Sequence, residues 1–164
     1  MASRMAGRVA LVTGGGGGIG EATGRLFAEE GGSVALVDSD RAAVEAAAAG
    51  IAKAVPGARV SALVADLSSE VEAQRVVDEA LASFGGLHTL VNVAGVRLYT
   101  PLAAADPKGW EVILGVNVLA TAYCCKAALP SLRLGGRGSI VNVSSVYGVK
   151  GRAGMGQYDT TKAA

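Results

Sequence analysis

Short apolar runs alternate with longer amphipathic stretches along this chain of 164 residues. The apolar runs have the length of β-strands and lie at 8–13, 33–38, 60–66, 89–93 and 139–144. Helical patterns separate them, at 19–30, 41–55, about 69–84 and 106–132, and a further helix is expected near Tyr158. Nearly continuous apolar strands in alternation with helices are typical of a parallel sheet that helices cover on both faces. The sequence therefore predicts one doubly wound α/β domain over residues 1–164.

Composition and charge narrow the classes of function. Hydrophobic residues make up 51% of the chain and charged residues 18%, which is too apolar for a disordered protein. The net charge of +1 gives no reason to expect nucleic acid or an anionic membrane as a partner. The longest uncharged apolar run, 112–125, is too short to span a bilayer and indicates a buried helix. Cys124 and Cys125 are adjacent and have no second ligand pair, so we expect no metal site and a reducing, cytoplasmic environment.

A glycine run, Gly14 to Gly18 followed by Ile19 and Gly20, joins the first strand to the first helix. Glycines let a backbone turn sharply and approach a pyrophosphate, whose charge then lies at the helix N-terminus. The run satisfies both G-x-G-x-x-G and T-G-x-x-x-G-x-G, so the string alone leaves the type of motif open. The alternative is a flexible linker, but the position between strand and helix favours a dinucleotide loop. In that helix Ile19, Ala22, Leu26 and Phe27 form the apolar stripe that we expect to face the core.

Asp38 ends the second strand, 18 residues after Gly20. A carboxylate at this place can accept hydrogen bonds from the adenosine ribose hydroxyls and would repel a 2′-phosphate. We therefore predict NAD(H) rather than NADP(H) as the cofactor. The alternative role for Asp38 is the N-cap of the following helix, which Ser39 or Asp40 could equally well provide.

Tyr158 and Lys162 are four residues apart and share one face if this segment is helical. Of the four tyrosines, only Tyr158 has a lysine at this spacing. A free phenol is too weakly acidic to ionise at neutral pH, but a nearby ammonium and a cationic nicotinamide would both favour the phenolate. Such a tyrosine could exchange a proton with an alcohol oxygen while hydride moves at carbon. Tyr–Lys pairs also occur on solvated helix faces, which is the alternative interpretation.

Asn117 lies on an otherwise apolar helical stripe. A buried amide must find partners or cost about 1–3 kcal/mol. Those partners could simply be neighbouring backbone groups.

Taken together, the motifs resemble the short-chain dehydrogenase/reductase family over the whole chain. Residues 13–20, TGGGGGIG, are similar to its T-G-x-x-x-G-x-G motif, and Asn92-Val93-Ala94-Gly95 is similar to N-N-A-G with Val in the second place. Asp66-Leu67 resembles the pair that contacts adenine in the family. Ser145 lies 13 residues before Tyr158, which is the family spacing for the catalytic serine, whereas the adjacent Ser144 is interpreted as structural. His88 stands where the family usually has Asp and is interpreted as a surface or strand-edge residue. Arg97 is interpreted as a solvated charge, with contact to an acidic group of a substrate as the alternative.

The resemblance implies a Rossmann fold and a role for each matching residue. By this resemblance, Ser145 would hold the substrate oxygen and Tyr158 would act as the acid/base. Lys162 would bind the nicotinamide ribose and assist Tyr158, and Asn117 would sustain a proton relay. The cofactor site would comprise Gly14, Gly18, Ile19, Gly20, Asp38, Asp66, Leu67, Asn92, Ala94, Gly95, Tyr158 and Lys162.

We therefore predict an oxidoreductase that transfers hydride between NAD(H) and a small secondary alcohol or ketone, as a homo-oligomer. The alternatives are an NADP(H)-dependent 3-oxoacyl-thioester reductase of the same family and a non-catalytic nucleotide-binding scaffold or sensor. The resemblance also implies that the fold continues beyond Lys162 for roughly another third of the chain and two more strands. We expect residues 1–164 alone to bind NAD weakly, to aggregate and to show no turnover.

Overall fold

The sheet is parallel throughout and places its strands in the order β3-β2-β1-β4-β5. A computed structural model describes residues 3–164. The strands are Val9–Thr13 (β1), Ser33–Asp38 (β2), Val60–Val64 (β3), Thr89–Asn92 (β4) and Ser139–Asn142 (β5). The strand order reverses between β1 and β4, and such a switch point leaves a crevice at the carboxyl ends of the strands. The predicted doubly wound α/β class is confirmed.

Six helices connect and cover the strands. They are Gly18–Glu29 (α1), Arg41–Ala54 (α2), Glu70–Phe84 (α3), Pro107–Leu114 (α4), Ala120–Leu134 (α5) and Gly156–Ala163 (α6). A π-helical turn, Gly115–Leu119, joins α4 to α5, so the single helix predicted over 106–132 carries a local widening. π-Helical turns of this kind are frequent at functional sites. Short 3-10 turns lie at Leu102–Ala104 and Val146–Gly148.

Alternate side chains of the central strands pack in two separate hydrophobic cores, one on each face of the sheet. On one face Leu11 and Leu90 pack with residues of α3 and α5 such as Val76 and Cys124. On the other face Val12 and Leu36 pack with residues of α2 such as Ile51, and α1 contributes Ala28. Burial on both faces explains why these strands read as continuous apolar runs in the sequence.

Of the apolar stripe predicted for α1, only Phe27 packs against the core. Ile19 and Leu26 are 62% and 48% exposed, whereas the buried residues of this helix are Gly20, Gly24 and Ala28. The reason is the short distance between helix and sheet, since a Cβ atom on Gly24 would lie 2.6 Å from Cδ2 of Leu36. Small residues let the helix axis approach the strands more closely than an aliphatic stripe would allow.

The continuous helix Pro107–Leu134 has 28 residues, and the mean hydropathy of its most apolar window is 1.7. By length and composition it could cross a membrane, and a core helix that packs on a sheet meets the same criteria. In this structure Ala120, Cys124, Ala128 and Leu132 of α5 are buried against the sheet and α3. Both cysteines are free, and burial raises the pKa of the Cys124 thiol to about 12. All four residues of β5, at the outer side of β4, are exposed.

Candidate active site

The glycine loop is folded back tightly where β1 ends. Gly14 has φ +65°, and a Cβ atom there would lie 3.0 Å from the backbone of Ala94. A Cβ atom on Gly20 would collide with the carbonyl oxygen of Gly14. By contrast, Gly17 and Gly18 face open space, and the N-cap residue Gly17 provides no side-chain bond to the first turn of α1. The backbone N–H groups at this helix terminus are therefore available to an anion such as a pyrophosphate.

Thr13 fixes this loop to the turn that follows β4. Its side chain is 1% exposed, and its Oγ1 accepts hydrogen bonds from the backbone N–H groups of Val93 and Ala94, both at 3.1 Å. From the sequence, Thr13 was recognised only as the first residue of the glycine motif, and this role of its hydroxyl was missed. The motif does not indicate which groups the hydroxyl binds, because those groups lie 80 residues further along the chain.

A first cleft of about 210 Å³ lies over the carboxyl ends of β1, β2 and β3. Six of the predicted cofactor residues line it, which are Gly14, Asp38, Asp66, Leu67, Ala94 and Gly95. The remaining lining residues are Val37, Ser39, Ala65, Val96 and Val116. Two carboxylates among apolar walls suit a nucleoside with a flat base and paired ribose hydroxyls.

The carboxylate of Asp38 is oriented by backbone donors. Its Oδ2 accepts from the N–H of Gly16 at 3.0 Å and its Oδ1 from the N–H of Asp40 at 3.1 Å. The N-cap of α2 is Asp40, whose side chain accepts from the N–H of Ala43 at 3.0 Å. The capping role considered for Asp38 therefore belongs to Asp40. Because a carboxylate has about four acceptor sites, Asp38 retains capacity for ribose hydroxyls.

Asp66 and Leu67 form the far wall of the first cleft. Asp66 is exposed, and its Oδ1 accepts from both the backbone N–H (3.0 Å) and the hydroxyl (2.7 Å) of Ser68. Leu67 is buried, at 6% exposure. The adjacent N-cap of α3 is Ser69, whose side chain accepts from the N–H of Glu72. This wall is thus fixed by the start of a helix and does not depend on a bound ligand for its shape.

A second cleft of about 270 Å³ lies on the other side of Gly95, which lines both. Its walls bring together five predicted site residues, Ile19, Gly95, Ser145, Tyr158 and Lys162. The others are Val93, Arg97, Val143 and Ser144. A Cβ atom on Gly95 would lie 3.4 Å from Nζ of Lys162 and 3.3 Å from Oδ1 of Asn117. A glycine here keeps the passage between the two clefts open.

Tyr158 and Lys162 lie on one face of α6, as their spacing predicts. Tyr158 is 8% exposed and packs in an apolar cluster with Ile113 and Met155. Nζ of Lys162 lies 6.0 Å from the centroid of the Tyr158 ring and donates to the carbonyl oxygen of Val143 at 3.1 Å. The ammonium is therefore held between the end of β5 and the phenol ring, inside the second cleft.

The two neighbouring serines have different partners. Oγ of Ser144 donates to the carbonyl oxygen of Lys162 at 2.5 Å and so holds α6 against the end of β5. Oγ of Ser145 accepts from the N–H of Tyr147 at 3.2 Å, which leaves its own hydroxyl proton free to donate into the cleft. This difference agrees with the roles expected for the pair.

Asn117 sits in the π-helical turn and is 7% exposed. Its Oδ1 accepts from the N–H of Val96 at 2.8 Å, and its Nδ2 donates to the carbonyl oxygen of Val96 at 3.0 Å and to Oγ1 of Thr161 at 2.9 Å. The side chain thus joins the loop after β4, through the backbone of Val96, to α6, through the hydroxyl of Thr161. Asn117 lines neither of the two clefts but borders a small cavity of about 120 Å³ that also touches Lys162. Its role in a proton relay stays a prediction.

Two polar residues stabilise the central strands from outside the clefts. Nδ2 of Asn92 donates to Oδ1 of Asn142 at 2.9 Å and reaches Sγ of Cys125 at 3.5 Å, so the structure places this predicted cofactor residue between β4 and β5. Nδ1 of His88 accepts from the N–H of Val9 at 3.0 Å, which agrees with a strand-edge role. Between residues 3 and 164, no group of three or more His, Cys, Asp or Glu could hold a metal ion.

A doubly wound sheet, a glycine loop at its switch point and a Ser–Tyr–Lys group beside it define a nucleotide-binding α/β protein of the dehydrogenase type. The family model for short chain dehydrogenases matches residues 8–164, and the chain belongs to this family. The resemblance stated from the sequence is confirmed.

Relatives and solved structures extend the comparison. The chain is 38% identical over 166 residues to 2,5-dichloro-2,5-cyclohexadiene-1,4-diol dehydrogenase of Sphingobium indicum. This alignment covers 100% of this chain and 65% of that relative. It is 35% identical to meso-2,3-butanediol dehydrogenase of Serratia marcescens, over 96% of this chain and 61% of the relative. The structure of NAD⁺-bound xylitol dehydrogenase matches with a TM-score of 0.92 and 35% identity, over 98% of this chain and 62% of that one. The chain thus spans less than two thirds of the length of these relatives.

Proposed function

We propose that this protein is an NAD(H)-dependent oxidoreductase that interconverts a secondary alcohol and a ketone. The observation that carries the proposal is the second cleft, in which Ser145, Tyr158 and Lys162 face a common space directly beside the nucleotide-sized first cleft. The names of the two dehydrogenases above describe oxidation of secondary alcohols, which supports the same chemistry here.

In this mechanism a bound nicotinamide supplies or accepts the hydride at carbon. Ser145 donates a hydrogen bond to the substrate oxygen and orients it toward Tyr158. In the oxidation direction, the Tyr158 oxygen takes the hydroxyl proton as the carbon–oxygen double bond forms, and in reduction it returns that proton. The ammonium of Lys162, held by the carbonyl oxygen of Val143, lies 6.0 Å from the centroid of the Tyr158 ring and is placed to bind the nicotinamide ribose. The apolar contacts of Tyr158 with Ile113 and Met155 fix the ring, so the oxygen is held in one position.

The preference for NAD(H) is supported by Asp38. Its carboxylate lines the first cleft, fixed by the N–H groups of Gly16 and Asp40. A 2′-phosphate next to this carboxylate would suffer repulsion between like charges. Neither Lys nor Arg lines the first cleft to offset that repulsion. The same argument weighs against the NADP(H)-dependent 3-oxoacyl-thioester reductase considered from the sequence.

A panel of secondary alcohols tests the proposal on the protein as it is naturally produced, with NAD or NADP as cofactor and the absorbance of NADH or NADPH as the readout. We expect turnover of at least one alcohol with NAD and a loss of about 100- to 10,000-fold in Tyr158→Phe. Tyr123→Phe is the matched control, because Tyr123 packs against the α5 core away from both clefts. Full turnover in Tyr158→Phe, or a clear preference for NADPH, would contradict the proposal.

We further propose that the protein is a homo-oligomer and that it is located in the cytoplasm. Its support is the outer face of the long helix, where the apolar side chains of Val112 and Leu119 are 45% and 43% exposed. Leu114, between them on the same helix, is also exposed, at 38%. An apolar surface formed by several exposed side chains is the kind that subunit contacts cover. Sedimentation of the purified protein measures the oligomeric state, and a monomer at micromolar concentration would contradict this part of the proposal.

A further inference from the structure

Arg97 lies in the loop after β4 and lines the second cleft together with Tyr158, Ser145 and Lys162. The only charged residues among the lining residues of this cleft are Arg97 and Lys162, and both are cations. An alcohol and a ketone are neutral, so proton transfer at Tyr158 does not by itself require a second cation in the cleft. The proposed reaction therefore assigns no role to the guanidinium of Arg97.

Neighbouring cations have partners, whereas Arg97 has no carboxylate partner among residues 3–164. Arg152, whose guanidinium stacks on the Tyr147 ring at 3.5 Å, is paired with Asp159 at 3.5 Å and also bonds it through its backbone N–H. Arg97 takes part in none of the ion pairs formed by the described residues. Its charge is thus directed into the cleft without an internal counter-charge.

The guanidinium and the reacting group share one cleft, since Arg97 and Tyr158 both line it. Arg97 is exposed, and the nearby phenols, that of Tyr99 before that of Tyr158, raise the pKa of Arg97 further above its usual value. Arg97 is therefore a permanent cation in the same cleft as the acid/base oxygen. The five donors of a guanidinium form a planar fork that matches the two oxygens of a carboxylate.

We propose that the substrate is a hydroxy acid or keto acid, whose carboxylate binds the guanidinium of Arg97 while its hydroxyl or carbonyl oxygen lies at Ser145 and Tyr158. This inference rests on the proposed function and names its substrate class. The negative charge of the substrate would balance a positive charge in the cleft, since two cations and no carboxylate side chain line it. Arg97 is then a specificity-determining residue that selects substrates by charge.

The cofactor pyrophosphate is the other anion that could reach a cation near Ile19, which also lines this cleft. The glycine loop offers that pyrophosphate a separate place at the N-terminus of α1, where Gly17 and Gly18 leave open space. A carboxylate is therefore the occupant that the structure favours for Arg97. The two occupants predict different effects on cofactor affinity, and the experiment uses that difference.

The test compares hydroxy acids of increasing chain length with their methyl esters, which keep the reacting carbon and remove the charge. In the wild type we expect at least one acid to have a lower KM than its ester. In Arg97→Met we expect the KM of that acid to rise roughly 10- to 100-fold, with the KM of the ester and the affinity for NADH unchanged. Arg97→Lys should recover part of the preference, because it restores a charge without the planar fork. An equal rise for acid and ester, or weaker NADH binding in Arg97→Met, would overturn the inference.

A binding measurement separates this inference from the proposed function. Calorimetric titration of the protein in the presence of NADH with isobutyrate and with isobutyramide compares an anion with a neutral molecule of the same shape, and needs no turnover. We expect isobutyrate to bind more tightly in the wild type and equally weakly in Arg97→Met. Turnover of neutral alcohols without this difference would leave the proposed function intact and overturn the inference alone. If isobutyrate binds as expected but no alcohol or hydroxy acid reacts, the proposed function fails and the anion site stands.

Discussion

The two clefts that meet at Gly95 are built in different ways. In the first, the shape comes from backbone, since Thr13 and Asp38 are held by main-chain N–H groups and the glycines allow close approaches that a Cβ atom would prevent. In the second, the function comes from side chains on the loops after β4 and β5 and on α6, and the guanidinium of Arg97 has no carboxylate partner in the described chain. If the proposed function is right, cofactor binding should depend mainly on backbone geometry, and substrate choice on loop side chains.

The largest effect is expected for Gly20→Ala, which tests whether backbone geometry shapes the first cleft. Its Cβ atom would collide with the carbonyl oxygen of Gly14, so the loop must shift at a cost of about 1–3 kcal/mol or more. We expect NADH binding, measured by fluorescence titration, to be lost or severely weakened, together with a lower melting temperature.

Gly17→Ala is the matched control in the same loop, because its Cβ atom would meet nothing within 4 Å and its φ of 175° suits any residue. We expect this variant to unfold at the wild-type temperature. If Gly17→Ala and Gly20→Ala destabilise the protein equally, the packing argument for the first cleft is wrong.

A smaller effect is expected for Thr13→Val, which keeps the shape of the side chain and removes the acceptor. The N–H groups of Val93 and Ala94 would lose their shared partner, at a cost of about 2 kcal/mol in the free energy of unfolding. Chemical denaturation measures this value. Thr13→Ser retains the hydroxyl and should recover most of the stability, and a Ser variant as unstable as the Val variant would point to the methyl group instead.

The charge of Asp38 gives the next prediction. Asp38→Asn keeps an oxygen that can accept from the N–H of Gly16 and removes the negative charge. We expect the affinity for NADH to fall roughly 10-fold and the ratio of NADH affinity to NADPH affinity to decrease. Titration with both cofactors measures the ratio, and an unchanged ratio would show that Asp38 does not select the cofactor.

Much of this arrangement could be predicted from sequence because it depends on residue types with few alternatives. Strand and helix periodicities predicted the fold class, and the spacing of Tyr158 and Lys162 predicted their common helical face. The exposed faces could not be predicted in the same way, since Ile19 and Leu26 look like core residues until the distance between α1 and the sheet is known. The place of Arg97 beside Tyr158 could not be predicted either, because the loop after β4 and α6 come together in one cleft only on folding.

The smallest effect concerns a surface outside both clefts. On α3 the guanidinium of Arg75 bonds Glu72 and lowers the pKa of that carboxyl below its usual value. Because the folded-state pKa is the lower one, this stabilisation is present above the unfolded pKa of about 4.3 and is lost as the pH falls through the folded value. Glu72→Gln should lower the melting temperature slightly at neutral pH and leave it unchanged in strong acid. NADH affinity and turnover should not change at neutral pH, and a loss of either would contradict the confinement of function to the two clefts.

The central claim is that the first cleft binds the cofactor and the second carries out the chemical step. It is tested most directly by measuring NADH affinity and the single-turnover rate of hydride transfer in Tyr158→Phe and Asp38→Asn. The account predicts that Tyr158→Phe loses the chemical step by about 100-fold or more with NADH affinity unchanged. It predicts that Asp38→Asn loses NADH affinity but transfers hydride at close to the wild-type rate when NADH is saturating. If both variants lose affinity and rate together, the two clefts do not act separately and the central claim is wrong.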